Sequence, residues 1–284
     1  MKLITFLYDN KETVGVLTED GAAVRPLPFD DMNALIQAPR EVLLTAVKDA
    51  AAALPLSAVT LLAPIPRPRQ DVICLGINYK AHAEEAARYS SEAFTKECPI
   101  PIYFSKCVTE AVAPEGDIES HPGLVERLDY EAELAVIIGK TAKKVKAEDA
   151  ADYIFGYTVL NDVSARVLQT AHKQWYFGKS LDGFTPMGPC IVTADEIAFP
   201  PALHITARVN GELRQDSTTD LLITSIADII EELSSGMTLL PGTIISTGTP
   251  SGVGMGFDPP KFLKPGDVVE CTIDDIGTLR NTVR

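Results

Sequence analysis

At 284 residues, 46% of them hydrophobic and 23% charged, the chain can bury a substantial core as one large domain, or as one with a small appendage. A net charge of −14 and a pI of about 4.7 argue against nucleic acid and anionic membranes as partners, though a local cation would still admit an anionic substrate. Five cysteines without a CxxC pair, no apolar run near 18 residues and no signal-like N-terminus argue against a disulfide scaffold, a zinc ribbon and a membrane span, so a cytoplasmic protein is expected.

Short strands come first. Leu3–Tyr8 and Thr13–Leu17 flank Asp9-Asn10-Lys11-Glu12, a hairpin signal, and Glu19-Asp20-Gly21 turns the chain into Ala22–Leu27. The Ala- and Leu-rich stretch 31–53 predicts helix. Residues 63–70 place three prolines in alternation and predict a stiff, extended linker. The expected division is therefore a small N-terminal α+β domain over 1–62, a linker over 63–70 and the main domain over 71–284. In the main domain, strands are predicted at Asp71–Gly76, Ile100–Phe104, Leu134–Ile138, Tyr153–Leu160, Leu203–Val209, Thr243–Thr247 and Val268–Ile273. Helices are predicted at Lys80–Tyr89 and Ile226–Ser234, the latter closed by Gly236, and Asn210-Gly211 is a hairpin turn. Strands outnumber helices without βα alternation, which excludes a doubly wound fold.

Five segments carry candidate chemistry. In Gly76-Ile-Asn-Tyr-Lys-Ala-His82-Ala-Glu-Glu85, His82 and Glu85 share a helix face, and a carboxylate beside an imidazole fixes its tautomer and raises its basicity. The alternative is a solvated surface pair, and Glu84 is the rival acid. Glu131 and Glu133 stand two apart at the start of an apolar strand, so both carboxylates face one way, roughly 6.5–7 Å apart along the chain. Two like charges there are costly unless a cation lies between them or the strand end is solvated. Asp162 follows an apolar strand and precedes a helix, as a ligand or as a helix cap. With the two glutamates it completes three oxygen ligands, a set that suits Mg²⁺ or Mn²⁺, or Ca²⁺ in a larger cage. Lys179 sits in an aromatic, Gly- and Pro-rich loop, either holding a developing oxyanion or packed by its stem. Finally, residues 245–256 lack G-K-[ST] and G-x-G-x-x-G, which excludes a nucleotide loop, but their amides and Thr249 could bind a small carboxylate. No G-x-S-x-G is present, and Cys74 and Cys107 look inert in apolar strands.

Together these segments resemble the fumarylacetoacetate hydrolase family. The resemblance is carried in order by Gly76-Ile-Asn-Tyr79 with His82 and Glu85, Tyr103-Phe-Ser-Lys106, Asp129-Tyr-Glu-Ala-Glu-Leu-Ala-Val, Asn161-Asp-Val-Ser-Ala-Arg, Gly178-Lys-Ser and Thr247-Gly-Thr-Pro-Ser-Gly-Val-Gly, over about residues 65–284. It resembles most a bacterial branch of acylpyruvases and isomerases of 2-oxo diacids such as 2-hydroxyhepta-2,4-diene-1,7-dioate. The resemblance implies a β-rich α+β fold, a mixed β-sandwich roll, assembled as a homodimer. It implies Mg²⁺ or Mn²⁺ on Glu131, Glu133 and Asp162, His82 and Glu85 on a mobile lid, and Lys179 in the pocket. It further implies that Arg166, Gln169 and Thr249 contact the carboxylate end of a small 2-oxo or 2,4-dioxo acid. The activity expected is hydrolysis of a carbon–carbon bond in an acylpyruvate through an enolate. Oxaloacetate-type decarboxylation, 2-hydroxydienoate isomerisation or hydration, and a non-catalytic metal-binding protein are the alternatives. Two departures bear on the substrate: Ile77 stands where several relatives carry Arg, and residues 86–99 make a longer lid than in short members.

Overall fold

The computed structural model describes residues 1–87 and 100–284, so the segment expected to lengthen the lid lies almost entirely outside the described residues. β1 (Lys2–Tyr8) and β2 (Lys11–Leu17) form the first hairpin, and β3 (Ala23–Pro26) extends it. The helix expected over 31–53 is two, α1 (Met32–Gln37) and α2 (Arg40–Lys48). Pro39 divides them because the residue before a proline avoids the helical region, and Ala38 is extended at ψ 142°. Two-residue strands β4 (Leu54–Pro55) and β5 (Thr60–Leu61) return to the sheet.

β6 (Val72–Gly76) leads into α3 (Lys80–Ala86), followed by β7 (Ile102–Lys106), β8 (Asp117–Ile118), β9 (Leu128–Asp129) and β10 (Ala132–Ile138). Next come β11 (Ile154–Asn161), β12 (Ser164–Ala165), α4 (Arg166–Ala171), α5 (Tyr176–Lys179) and β13 (Met187–Thr193). The chain closes with β14 (His204–Val209), β15 (Glu212–Thr218), α6 (Ile226–Gly236), β16 (Ile244–Ser246), β17 (Val268–Ile273) and β18 (Gly277–Val283). The β14–β15 turn is the predicted one, with Asn210 at φ 52° and Gly211 at φ 81°, the left-handed pair that a two-residue hairpin demands.

The fold is a sheet-rich α+β arrangement, as expected. One long mixed sheet runs β4-β3-β2-β1-β13-β11-β10-β16-β6-β7, with β5 beside β1, and a five-stranded sheet runs β15-β14-β17-β18-β8. β13, which the sequence pattern does not predict, joins the N-terminal strands to the rest: Lys2 pairs with Val192 and Leu160 with Met187. β10 is buried along its whole length. Leu134, Val136 and Ile138 pack into one apolar cluster, and Ala135 and Ile137 into another on the opposite face. A strand covered on both faces reads as a continuous apolar run, which is the pattern of Leu134–Ile138. Among the described residues no helix is long and apolar enough to cross a membrane.

Candidate active site

Strand register assembles the acidic cluster. Ala132 pairs with Asn161 across the antiparallel β10–β11 ladder, which sets Asp162 beside Glu131. The Asp162 N–H donates to the Glu131 carbonyl (2.9 Å), and the Glu131 N–H donates to Oδ1 of Asn161 (3.0 Å). Alternation along the strand turns Glu133 to the same side as Glu131. The result is that Glu131, Glu133 and Asp162 are all buried, with one carboxylate oxygen from each lying within 4.8 Å of the others. A solvated strand end is thereby excluded. Three convergent oxygen donors without sulfur or imidazole fit a hard divalent cation.

The cations around this cluster come from elsewhere in the chain. Lys179, at the end of α5, places Nζ 2.7 Å from Oε2 of Glu131 and 2.7 Å from Oδ2 of Asp162. It reaches them because Gly178 packs directly on the backbone of Gln169, where a Cβ would clash. Arg166, at the start of α4, pairs through Nη1 with Oε1 of Glu131 (2.6 Å) and through Nε with Oδ2 of Asp129 (2.8 Å). The same Nη1 donates to Oε1 of Gln169 (3.1 Å), which leaves the amide NH₂ of Gln169 as its remaining donor.

These partners divide the two glutamates. Burial opposes the charge on Glu131, but Lys179 and Arg166 outweigh it and hold its carboxyl below the usual range. Burial also opposes the charge on Glu133, and Asp162 and Glu131 add to that, pushing it well above the usual range. Among the described residues, the hydrogen-bond donors to Glu133 are neutral, Oγ of Ser246 (2.5 Å) and the Gly248 N–H (3.0 Å), so it is the ligand with most to gain from a nearby cation. For Lys179, burial favours the neutral amine, but Asp162 and Glu131 prevail and raise it above the ordinary lysine value.

His82 and Glu85 face each other on α3, with Nδ1 of His82 2.9 Å from Oε2 of Glu85, and both are buried. Glu84 is exposed, so Glu85 is the acid of the pair. The second oxygen of Glu85 accepts the Gly252 N–H (2.9 Å), and Gly256 packs so closely on this carboxylate that a Cβ there would collide with it. A carboxylate on Nδ1 directs the lone pair of the neutral ring to Nε2.

A cavity of about 490 Å³ joins these groups; His82, Glu131, Glu133, Arg166, Gln169, Lys179 and Thr249 all line it. Asp162 is buried behind this wall. Trp175 lines the cavity as well and meets Phe104 edge-on, the ring centroids 5.2 Å apart. Two expectations need correction. The amides of residues 248–255 do bind carboxylates, but the chain's own: Gly248 serves Glu133, Gly252 serves Glu85, and Gly254 (2.7 Å) and Met255 (3.0 Å) serve Asp129. The Thr249 hydroxyl likewise donates to the Ala132 carbonyl (2.9 Å) and accepts from Nε2 of Gln215 (2.7 Å). Cys107 is exposed beyond the end of β7 rather than buried in a strand.

Two residues gained no role from sequence. Lys106 is fully buried and donates to Oδ1 of Asp162 (2.6 Å) and to the Val163 carbonyl (3.1 Å). Asp129 is fully buried and ties Arg166 to the 254–255 amides. The available signal was a charged residue within each quoted segment, at the end of one apolar strand and beside a tyrosine before another.

The model of the fumarylacetoacetate (FAA) hydrolase C-terminal family matches residues 71–284. Oxaloacetate tautomerase YisK of Bacillus subtilis is 52% identical over 229 residues, 80% of this chain and 74% of that protein. Among solved structures, the fumarylacetoacetate hydrolase of Exiguobacterium antarcticum superposes with a TM-score of 0.86 at 39% identity, covering 100% of this chain and 99% of the other. The 2-hydroxyhepta-2,4-diene-1,7-dioate isomerase of Mycobacterium marinum gives a TM-score of 0.77 at 33% identity over 100% and 98% of the two chains.

Proposed function

The chain belongs to the fumarylacetoacetate hydrolase family of enzymes, and from that premise we propose that it interconverts the keto and enol forms of a small 2-oxo acid, with oxaloacetate the first substrate to test. The observation that carries this reading is the meeting, in one cavity, of an oriented imidazole, a buried ammonium and two carboxylates, with the third carboxylate of the cluster buried directly behind them. A divalent cation held by Glu131, Glu133 and Asp162 would supply Lewis-acid polarisation of the 2-oxo carbonyl.

The chain's own residues do the rest. His82 takes the proton from the carbon next to the carbonyl at Nε2, while Glu85 holds the ring in the tautomer that can accept it. Negative charge moves onto the carbonyl oxygen, where Lys179 stabilises it from a site shielded from water. The proton then goes to that oxygen, and the enol leaves with the atoms of the keto form rearranged. Arg166 and the NH₂ of Gln169 orient the C1 carboxylate. Thr249, its hydroxyl already engaged, contributes through its backbone at the same end.

A second reading is the hydrolysis of an acylpyruvate, in which His82 deprotonates a water and an enolate is the leaving group. The buried His82–Glu85 pair favours it, since such a pair can serve a water as well as a carbon acid. The test is to strip the protein with a chelator, restore Mg²⁺ or Mn²⁺, and follow oxaloacetate enol absorbance and pyruvate release from acetylpyruvate side by side. Metal-dependent enol interconversion without pyruvate release supports the tautomerase reading. Pyruvate release from acetylpyruvate alone replaces it with the hydrolase, and inactivity on both overturns the 2-oxo acid assignment.

A further inference from the structure

Each buried cation of the centre is already held by a carboxylate: Lys106 by Asp162, Lys179 by Glu131 and Asp162, Arg166 by Asp129 and Glu131. A first substrate carboxylate has the centre itself to bind. Among the described residues of the centre, a second, distal carboxylate would meet cations already paired with acids, with Glu85 and Glu133 adding further negative charge nearby.

Arg127 is placed differently. It lines the same cavity from the exposed rim, and its backbone carbonyl accepts the Arg166 N–H (2.9 Å), so the two arginines are fixed side by side. Among the described residues no carboxylate lies within ion-pair distance of its guanidinium, which instead stacks 5.8 Å from the centroid of the Phe262 ring. An aromatic face steadies a guanidinium without neutralising it and leaves its in-plane N–H donors available. Among the described residues that line the cavity, it is the one arginine or lysine not committed to an acid.

We propose that Arg127 is the specificity-determining residue that pairs with the distal carboxylate of a dianionic 2-oxo acid. This rests on the 2-oxo acid reading above and adds the charge class of the substrate. The planar fork of the guanidinium suits a carboxylate in a bidentate grip, and its position at the rim sets the reach of the substrate from the carboxylate cluster to the cavity mouth. Glu126 lines the same rim, exposed and without a cation partner among the described residues. It repels the same anion, so the two neighbours tune the mouth in opposite directions.

The test uses a matched pair of probes, oxaloacetate and 2-oxobutyrate, which share a four-carbon 2-oxo acid skeleton and differ by a terminal carboxylate against a methyl group. Binding to the full chain loaded with Mg²⁺ is measured by calorimetry for the wild type, Arg127→Met, Arg127→Lys and Glu126→Gln. Arg127→Met is expected to weaken oxaloacetate roughly tenfold and leave 2-oxobutyrate unchanged, with Arg127→Lys recovering part of the loss. Glu126→Gln should tighten oxaloacetate alone. The wild-type preference for the diacid should shrink with added salt, because the rim is exposed. In turnover, Arg127→Met raises KM and spares kcat. Equal loss on both probes, or no loss on either, overturns the role of Arg127 while the 2-oxo acid reading stands. Failure of the wild type to bind either probe overturns that reading and this proposal with it.

Discussion

Glu133 lies on β10, with Glu131 just before that strand and Asp162 just after the paired β11, whereas His82 and Glu85 ride on a helix of seven residues. The carboxylates repel one another, and only a ladder fixed on both sides can hold them within 4.8 Å. The dyad attracts itself and needs far less support: one turn of helix, the Gly252 amide and the close approach of Gly256. Charge that must be forced together is therefore built into the sheet. The proton-transferring pair is hung from the surrounding loops.

The largest effects should break the sheet side of this comparison, and the two glutamates should break it in opposite senses. Glu131→Gln leaves Lys179 and Arg166 short of a buried partner and should cost about 3–5 kcal/mol of stability as well as metal binding. Glu133→Gln should also abolish metal binding and turnover, yet raise the melting midpoint of the chelator-treated protein at neutral pH, because the carboxylate it removes is unfavourable when charged. The linkage signs follow. Glu131, held below its unfolded value, contributes stability above the ordinary carboxylate range that is lost as pH falls. Glu133, raised above its unfolded value, contributes stability at low pH that is lost as pH rises through its folded pKa. Thermal melts of both variants against pH, without metal, read this contrast; parallel curves would remove it.

On the helix side, His82→Ala should lower the rate by about 10²–10⁴-fold while metal affinity measured by calorimetry stays at the wild-type level. Loss of metal binding in that variant would mean that the two regions are one unit. Gly256→Ala is a milder break. Its Cβ would displace the Glu85 carboxylate, so turnover should fall by roughly 10–100-fold with the metal centre intact, and Glu85→Gln should reproduce the loss.

The same division decides what was legible in the sequence. Glu131 and Glu133 share a strand face by simple alternation, and His82 and Glu85 share a helix face by simple periodicity, so both pairs could be read locally. The strands around them were legible for the same reason, because β10 is an apolar run covered on both faces. β13 was not, since Pro186-Met-Gly-Pro189 at its start reads as loop while its hydrogen bonds come from β1 and β11, far off in the chain. Lys106 and Asp129 escaped for a related reason. A charged residue at a strand end is normally solvated, and only contacts that span 56 and 37 residues of chain bring Asp162 to Lys106 and Arg166 to Asp129. The segment 245–256 predicts a binder of a small carboxylate, and nothing local reveals that Glu133, Glu85 and Asp129 occupy its amides.

The smallest effect lies where the two regions meet. Ile77 lines the cavity between β6 and α3 with φ at +53°, a backbone conformation that a β-branched residue adopts only when its surroundings enforce it. The enforcement comes from Asn78. Its side chain donates to the carbonyls of Thr224 (3.1 Å) and Thr247 (2.9 Å) and accepts the Thr224 N–H (2.7 Å), and its own carbonyl accepts the Ile223 N–H (2.7 Å). A residue pinned on that many sides gives its neighbour no freedom to relax, so Ile77 carries the strain. Ile77→Gly removes it and should stabilise the protein by about 1 kcal/mol, in spite of the entropy that glycine adds to the unfolded chain. Ile77→Ala keeps the left-handed strain, loses the apolar wall and should not stabilise. If both variants melt below the wild type, the apolar packing of Ile77 outweighs its strain, and the junction is held by its side chain rather than by the Asn78 clamp. If glycine stabilises while the balance between oxaloacetate and acetylpyruvate turnover shifts, the strain is what keeps an apolar side chain at the cavity wall, and the junction sets selectivity at the expense of stability.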